Sequence, residues 1–449
     1  MNNKLEKRYG LWTAISMVVG VVIGSGIFFK AEVVLERTGG NMPLGILAWL
    51  IVGGIMVVCT NAFASMANRY DDANGIVDYA YALLGSKYAY NLGWFMTTIY
   101  TPAICAVLCW VCARYTVTLF EWDITGGSCM TIAAFYLCLF YAINVLSPKV
   151  AGKLQVSVTF VKLIPIFAMA IVGTIAGFMN GNLVNDFANA SSSASGFGGL
   201  MGAVLSVAFA FDGWILAVSI NGELKDAKRN LPIALTVGSM FVVATYVLYY
   251  IGINGVMGSA GLLGTGENGV RVAFSTLFGP LAGTLVFVLI TISCLGTFNG
   301  LVFANSRNMY TLAIRDEGPL PDMFKQVDAY TNMPTNSSII GLAMAGAWLL
   351  YFYGANLTAP WFGIFSFDSS ELPIVTVYAM YIPLFVRYMM IAKDEGVFKR
   401  FIFPVLSIAG CLFMVYASFA AYGVKTVGVY LFVFAVIMAL GNFFNMRKN

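Results

Sequence analysis

The chain has 449 residues, of which 59% are hydrophobic and only 10% charged, against roughly 45–50% and 25% in soluble domains. That balance excludes an ordinary soluble globular domain and places the chain in a lipid bilayer. The formal net charge of +4 is too small for a nucleic-acid footprint, so the basic residues report on membrane topology instead.

In chain order, the apolar stretches predict an all-α polytopic membrane protein with about twelve transmembrane helices of roughly 20 residues each. They centre near Val19, Gly54, Tyr100, Leu137, Ile166, Phe209, Val242, Leu289, Met344, Tyr378, Leu412 and Val433, and the third could start earlier. Short connections leave no room for a soluble domain, so residues 1–449 read as one integral membrane domain. The apolar run after Arg8 is long and lacks a small-residue cleavage pattern, so the first helix is expected to act as its own insertion signal. Threading twelve spans puts most Lys and Arg on one side, among them Lys4, Lys7, Arg8, Arg69, Lys149, Lys153, Lys228, Lys399, Arg447 and Lys448. Only Lys30, Arg37, Arg114, Arg271 and Lys425 fall opposite. Positive residues mark the cytoplasmic face, which predicts a multi-pass protein of the inner (plasma) membrane with both termini inside.

The first span, Leu11 to Phe29, is broken in its middle by Gly24-Ser25-Gly26, with Gly20 one turn earlier. A second break, Phe209-Ala210-Phe211-Asp212-Gly213, interrupts the apolar run from Leu200 to Asn221. Unwound backbone is tolerated in a membrane only where it lines a cavity or is buried in protein. Paired interrupted helices in two halves of a chain point to the central binding site of a transporter. Opening a helix frees N–H groups at the start of its second half and C=O groups at the end of its first, with partial charges to match. The N–H groups of Ser25, Gly26 and Ile27 can hold a carboxylate. The carbonyls near Val22, Ile23, Phe209 and Ala210 can accept from an ammonium, so the two poles suit an amino-acid zwitterion. Glycine at Gly24 and Gly26 permits close approach of a ligand. A small-xxx-small packing face is the plainer reading of Gly20, Gly24 and Gly26. A nucleotide-binding glycine loop is excluded, because no strand precedes it.

Lys162 is the basic residue placed deepest in a span, where an ionisable group is expensive and usually faces a cavity; the alternative is a lysine snorkelling to an interface. A fixed ammonium there can occupy the place of a sodium ion beside the broken first helix. Asp212, in the second break, can cap the following half-helix, pair with a polar group, or titrate. Phe209 and Trp214 flank that break and are candidate gates, with ordinary packing as the alternative. Asp368 and Glu371 sit at the outer end of the tenth span, lining a vestibule or simply solvated. Cys105, Cys109 and Cys112 have the spacing of an iron–sulfur loop, but an apolar helix makes them packing residues. With no histidine in the chain, a zinc site and a histidine proton relay are not expected. No metal and no cofactor is expected, and no nucleophile–base pair suggests an enzyme.

These residues carry a resemblance. Val21-Val22-Ile23-Gly24-Ser25-Gly26-Ile27-Phe28 resembles the first-helix signature of the amino acid–polyamine–organocation superfamily. Phe209-Ala210-Phe211-Asp212-Gly213-Trp214, followed by Gly222-Glu223-Leu224-Lys225 and Arg229-Asn230-Leu231-Pro232, resembles the sixth-helix block of its L-type amino acid transporter branch, and within that branch the bacterial serine/threonine exchangers. Thr159-Phe160-Val161-Lys162-Leu163-Ile164-Pro165 is similar to its fifth-helix lysine block. Tyr100-Thr101-Pro102-Ala103-Ile104 and Gly296-Thr297-Phe298-Asn299-Gly300 are similar to third- and eighth-helix segments, with Tyr100 and Asn299 as possible pocket residues. The likeness runs from about residue 8 to residue 325.

The resemblance implies a LeuT-like fold of two inverted five-helix repeats (approximately residues 10–180 and 197–390), plus two further helices in 400–445. It implies sodium-independent amino-acid transport, commonly by exchange. Ser25 and Gly26 would then bind the carboxylate, Val22, Phe209 and Ala210 the amine, Phe209 would gate the outer side, and Lys162 would hold the first helix. The chain departs from the pattern at Ile215, at Ala73-Asn74-Gly75, and at Ser65, which stands where the family carries an acidic residue. The expected function is alternating-access exchange of small or medium neutral L-amino acids. Proton symport, a cationic amino-acid or polyamine antiporter, and a non-transporting amino-acid sensor are the alternatives. Some relatives join a heavy-chain subunit through an external cysteine; Cys129 lies near that position, but no heavy chain is expected here.

Overall fold

The structure is a computed structural model that describes residues 10–70, 75–148, 150–151, 158, 161–190, 196–217, 224–357 and 359–446. Several sequence expectations lie outside the described residues: those on Lys4, Lys7, Arg8, Lys149, Lys153, Arg447 and Lys448, on Ala73 and Asn74, on Thr159 and Phe160, and on Gly222 and Glu223.

Lipid offers no hydrogen bonds to the backbone, so an apolar chain of this kind satisfies its peptide groups within helices, and no β-strand occurs among the described residues. Helix α1 spans Leu11–Val22 and α2 spans Gly26–Arg37. The chain then turns through Gly39 and Gly40, both at positive φ, into α3, Met42–Arg69, where the Asn41 side chain accepts from Leu44 N–H at 2.9 Å. A short α4, Ile76–Leu84, precedes the long α5, Ser86–Leu119. A π-helical turn at Met96–Tyr100 interrupts α5 just before Pro102, which has no N–H to donate. Next come α6, Gly127–Leu146, and α7, Leu163–Met179, which meets α8, Asn182–Ala188, at a 77° bend. The second broken element comprises α9, Gly196–Phe211, and α10, Trp214–Ala217. The remaining longer helices are α11 (Ala227–Met257), α12 (Asn268–Phe278), α13 (Pro280–Ala313), α14 (Thr335–Ala355), α15 (Leu372–Ile391) and α16 (Phe403–Met446).

Among the described residues, eight helices are long and apolar enough to cross a membrane, or nine if the bent α7–α8 pair is one span. Two physical reasons separate that number from the expected twelve. The breaks leave α1 and α9 too short to qualify singly. A helix running from Phe398 to Asn445 has 48 residues, about twice what one crossing needs, and it bends at Gly423, where φ is 76°.

The chain divides into two compact units. The first holds Met1–Ala89, Ile166–Gly269 and Ile374–Ala421, and so contains both broken helices. Small residues let its helices approach closely: a Cβ on Gly177 would meet Gly255 Cα at 2.5 Å, and one on Gly53 would meet the Val243 side chain at 2.6 Å. Arg69, Lys228 and Lys399, all assigned to one membrane face by charge, line a single cleft of about 570 Å³ with Asp394 and Glu395. The second unit holds Tyr90–Pro165, Val270–Pro373 and Tyr422–Asn449. Its interior includes Tyr90, Trp94, Met309, Leu312 and Phe324, with Asn144 donating to Asn299 at 2.9 Å.

Candidate functional site

Both breaks belong to the first unit, and local chemistry decides what each presents. Ile23 still donates its N–H to Val19 O at 2.8 Å, then turns extended (ψ 98°) and ends α1. The helix resumes at Gly26. The N–H groups of Gly26 and Ile27 open α2, where no preceding turn supplies acceptors, and the helix dipole places positive charge there. Ser25 is fully buried, and its Oγ has no hydrogen-bond partner among the described residues. Buried hydroxyls are rarely left unpaired, so this atom is open to a further hydrogen bond.

In the second break, Asp212 N–H donates to Phe209 O at 3.2 Å, and Gly213 takes a φ of 98° that favours glycine. Phe211, expected in the unwound segment, instead closes α9; the interruption is confined to Asp212 and Gly213. The carbonyls of Phe209 and Ala210 lie in the last turn of α9, at its negative end. A Cβ built on Gly26 would stand 2.8 Å from Ala210 Cα and 3.5 Å from Ala210 O. The positive end of α2 and the negative end of α9 are therefore in direct contact.

Tyr246, on α11, was not anticipated. Its hydroxyl accepts from Gly24 N–H at 3.1 Å and donates to Val22 O at 3.2 Å, satisfying one donor and one acceptor freed by the break. Its ring stacks on Phe211 at 5.1 Å and meets Trp49 edge-on at 5.6 Å. One lone pair of the Val22 carbonyl, expected to receive an amine, is thus already engaged.

Phe209 and Trp214 fall into different aromatic groups. Phe29 meets Phe209 edge-on at 5.6 Å, and Lys30 Nζ lies 4.9 Å from the Phe209 ring centroid. Trp214 donates its Nε1–H to Tyr378 Oη at 3.3 Å and packs edge-on to Tyr381 at 5.6 Å, with Phe63 against both. Lys30, which the charge count places on the side opposite most basic residues, lies within α2, and the helix carries on to Arg37 with Lys30 only 7% exposed.

The other sequence-selected residues belong to the second unit. Lys162 is 4% exposed and its N–H donates to Val158 O at 3.1 Å. Tyr100 is buried at the end of the π-helical turn. Asn299 accepts from Asn144 and donates to Ala151 O at 3.1 Å. Asp368 accepts from Ser370 N–H and Glu371 N–H at the start of α15, and the Tyr422 hydroxyl lies 2.5 Å from Glu371 Oε2. Glu371 is 1% exposed, which removes the solvated-loop reading for that residue. Cys109 Sγ donates to Ala133 O, and Cys105, Cys109 and Cys112 are all buried.

The amino acid permease family model matches residues 9–441. The chain belongs to the amino acid permease family. This permease is 29% identical to the serine/threonine exchanger SteT of Bacillus subtilis (strain 168), over 92% of this chain and 91% of that protein. It is 29% identical to the human b(0,+)-type amino acid transporter 1, over 68% of this chain and 62% of that one. The human cystine/glutamate transporter is 24% identical, over 75% of this chain and 66% of its own. Among solved structures, MhsT in complex with L-phenylalanine superposes with a TM-score of 0.55 at 16% identity, covering 95% of this chain and 99% of that one. The permease therefore has an all-helical, LeuT-like fold and is a multi-pass membrane protein of the amino-acid transporter class.

Proposed function

We propose that this permease exchanges small or medium neutral L-amino acids across the plasma membrane, without sodium, by alternating access. The contact of Gly26 with Ala210 carries the reading, because it joins an N–H pole and a carbonyl pole at one point. Ser25, Gly26 and Ile27 receive the carboxylate, with Ser25 Oγ adding a donor. Ile23, Phe209, Ala210 and the remaining lone pair of Val22 receive the ammonium. Gly24, Asp212 and Gly213 keep the helices open, with Phe211 packed beneath them against Tyr246.

Phe209 and Trp214, in separate aromatic groups, act as gates on the two sides of the site. Lys162 serves in place of a sodium ion, and Tyr100 and Asn299 contribute to side-chain selection. Both termini face the cytoplasm. Burial of Cys129 supports a carrier that works without a disulfide-linked heavy chain.

Counterflow in liposomes tests the reading. Labelled serine, alanine or leucine should accumulate only when neutral amino acid is inside, with no sodium and no pH gradient. Uptake into empty liposomes driven by an acid exterior would replace exchange by proton symport.

A further inference from the structure

Four apolar helices of the first unit have their ends at one charged cleft. Arg69 closes α3, Lys228 opens the span that runs to Met257, and Asp394 and Glu395 follow the end of α15 at Ile391. Lys399 lies in the first turn of the long helix that starts at Phe398. Ends of apolar spans stand at the level of lipid headgroups. The cleft of about 570 Å³ lined by these five residues therefore faces the headgroup layer, and its volume is within the ~300–1,000 Å³ range of small-ligand sites. Next to Lys399 in the chain, Val397, Phe398 and Phe401 hold large apolar side chains exposed, which suits contact with acyl chains.

The cleft carries both signs of charge. Arg69 Nη1 donates to Asp394 Oδ1 at 2.6 Å, tying the end of α3 to the segment after α15. Lys399 Nζ stands 3.8 Å from Glu395 Oε2, an ion pair too long for a hydrogen bond. Among the described residues neither of those two side chains makes a hydrogen bond, so the ammonium keeps its donors and the carboxylate its acceptors.

We propose that this cleft binds the headgroup of an aminophospholipid of the phosphatidylethanolamine class. Lys399 receives the phosphate, Glu395 receives the primary ammonium, and the acyl chains run along Phe398 and Phe401. Phosphate and ammonium joined by two carbons form a short dipole that lies head to tail on a lysine–glutamate pair. A choline headgroup has the same charges, but its methylated nitrogen donates no hydrogen bond to Glu395. A purely anionic headgroup meets like charge at Asp394 and Glu395.

Lipid retention by the purified full-length protein tests the site, and because no transport is read, the result stands apart from the exchange reading. Phosphatidylethanolamine, phosphatidylcholine and phosphatidylglycerol with identical acyl chains are offered in equal amounts in detergent, and bound lipid is counted by native mass spectrometry. The wild type should retain the ethanolamine lipid over the choline lipid by roughly fivefold, the worth of one charge-assisted contact at a membrane surface, and over the glycerol lipid as well. Glu395→Gln should bring the ethanolamine lipid close to the choline lipid, whereas Lys399→Gln should lower both together. Equal retention of the ethanolamine and choline lipids by the wild type overturns the inference. So does a preference for the glycerol lipid, or an ethanolamine preference that survives in Glu395→Gln. Displacement by soluble glycerophosphoethanolamine at the concentration of the lipid would overturn the membrane as the source of the headgroup. Both side chains are partly exposed, and a melting curve without added lipid checks the fold of each variant. If Glu395→Gln does not fold, the wild-type order together with Lys399→Gln decides in the same way.

Discussion

Gly26 and Ala210 meet backbone to backbone, with no room for a methyl group between them: a Cβ at residue 26 would lie 2.8 Å from Ala210 Cα. The obstacle is main chain and cannot swing aside. Gly26→Ala should therefore push α2 from α9, at about 1–3 kcal/mol of overpacking. The expected outcome is a lowered melting temperature in detergent and loss of counterflow. A variant that exchanges at the wild-type rate would break the link between this contact and transport.

Tyr246 bridges the first break through two hydrogen bonds, to Gly24 N and Val22 O. Tyr246→Phe keeps the ring packing on Phe211 and Trp49 but strands both backbone groups. Two lost bonds come to about 1–3 kcal/mol, and exchange should fall about tenfold or more. Initial rates of serine counterflow, with a melting curve on the same preparation, check this.

Ser25 behaves in the opposite sense. Its buried Oγ has no protein partner among the described residues, so Ser25→Ala removes nothing that holds the fold together. Thermal stability without substrate should be unchanged or raised. Substrate affinity should weaken by about tenfold, the worth of one hydrogen bond to a charged group. Titration of the purified variant with serine, followed by thermal shift, reads both effects.

Lys162 is 4% exposed, and the proposed exchange cycle gives it the place of a coupling ion. If it latches α1 during the transport cycle, Lys162→Ala should cut turnover about tenfold and leave equilibrium binding within about threefold. Unchanged exchange by that variant would refute the latch.

Asp394 gives a pH-dependent contrast outside the spans. The Arg69 guanidinium, 2.6 Å away, holds its carboxyl below the ordinary carboxylate value. The sign follows from linkage: a lowered folded-state value gives stability that is present above the unfolded value and lost as pH falls through the folded one. The pair is exposed, so the effect is small. The melting-temperature difference between wild type and Asp394→Asn should stay constant from neutrality down to about pH 4 and shrink below it.

The amino-acid sequence by itself determined the membrane class, the two helix breaks and the residues that frame them. Gly24-Ser25-Gly26 and Asp212-Gly213 stand out because glycine and aspartate are conspicuous inside apolar helices, and backbone polarity follows from helix ends alone. Burial of Lys162 was legible for the same reason: its neighbours in sequence are apolar. Only the tertiary structure decided the surroundings of Tyr246 and Lys30. Tyr246 lies in the middle of an apolar helix and bonds Val22 and Gly24 across more than two hundred residues, so no local pattern marks it. Lys30 reads only as a basic residue on the less basic side until α2 is seen to run on to Arg37 and bring that side chain to Phe209. Glu371, too, reads as a vestibule or loop carboxylate until Tyr422 is brought against it. Local backbone chemistry is written in neighbouring residues, whereas which side chain completes a broken helix depends on how distant helices pack.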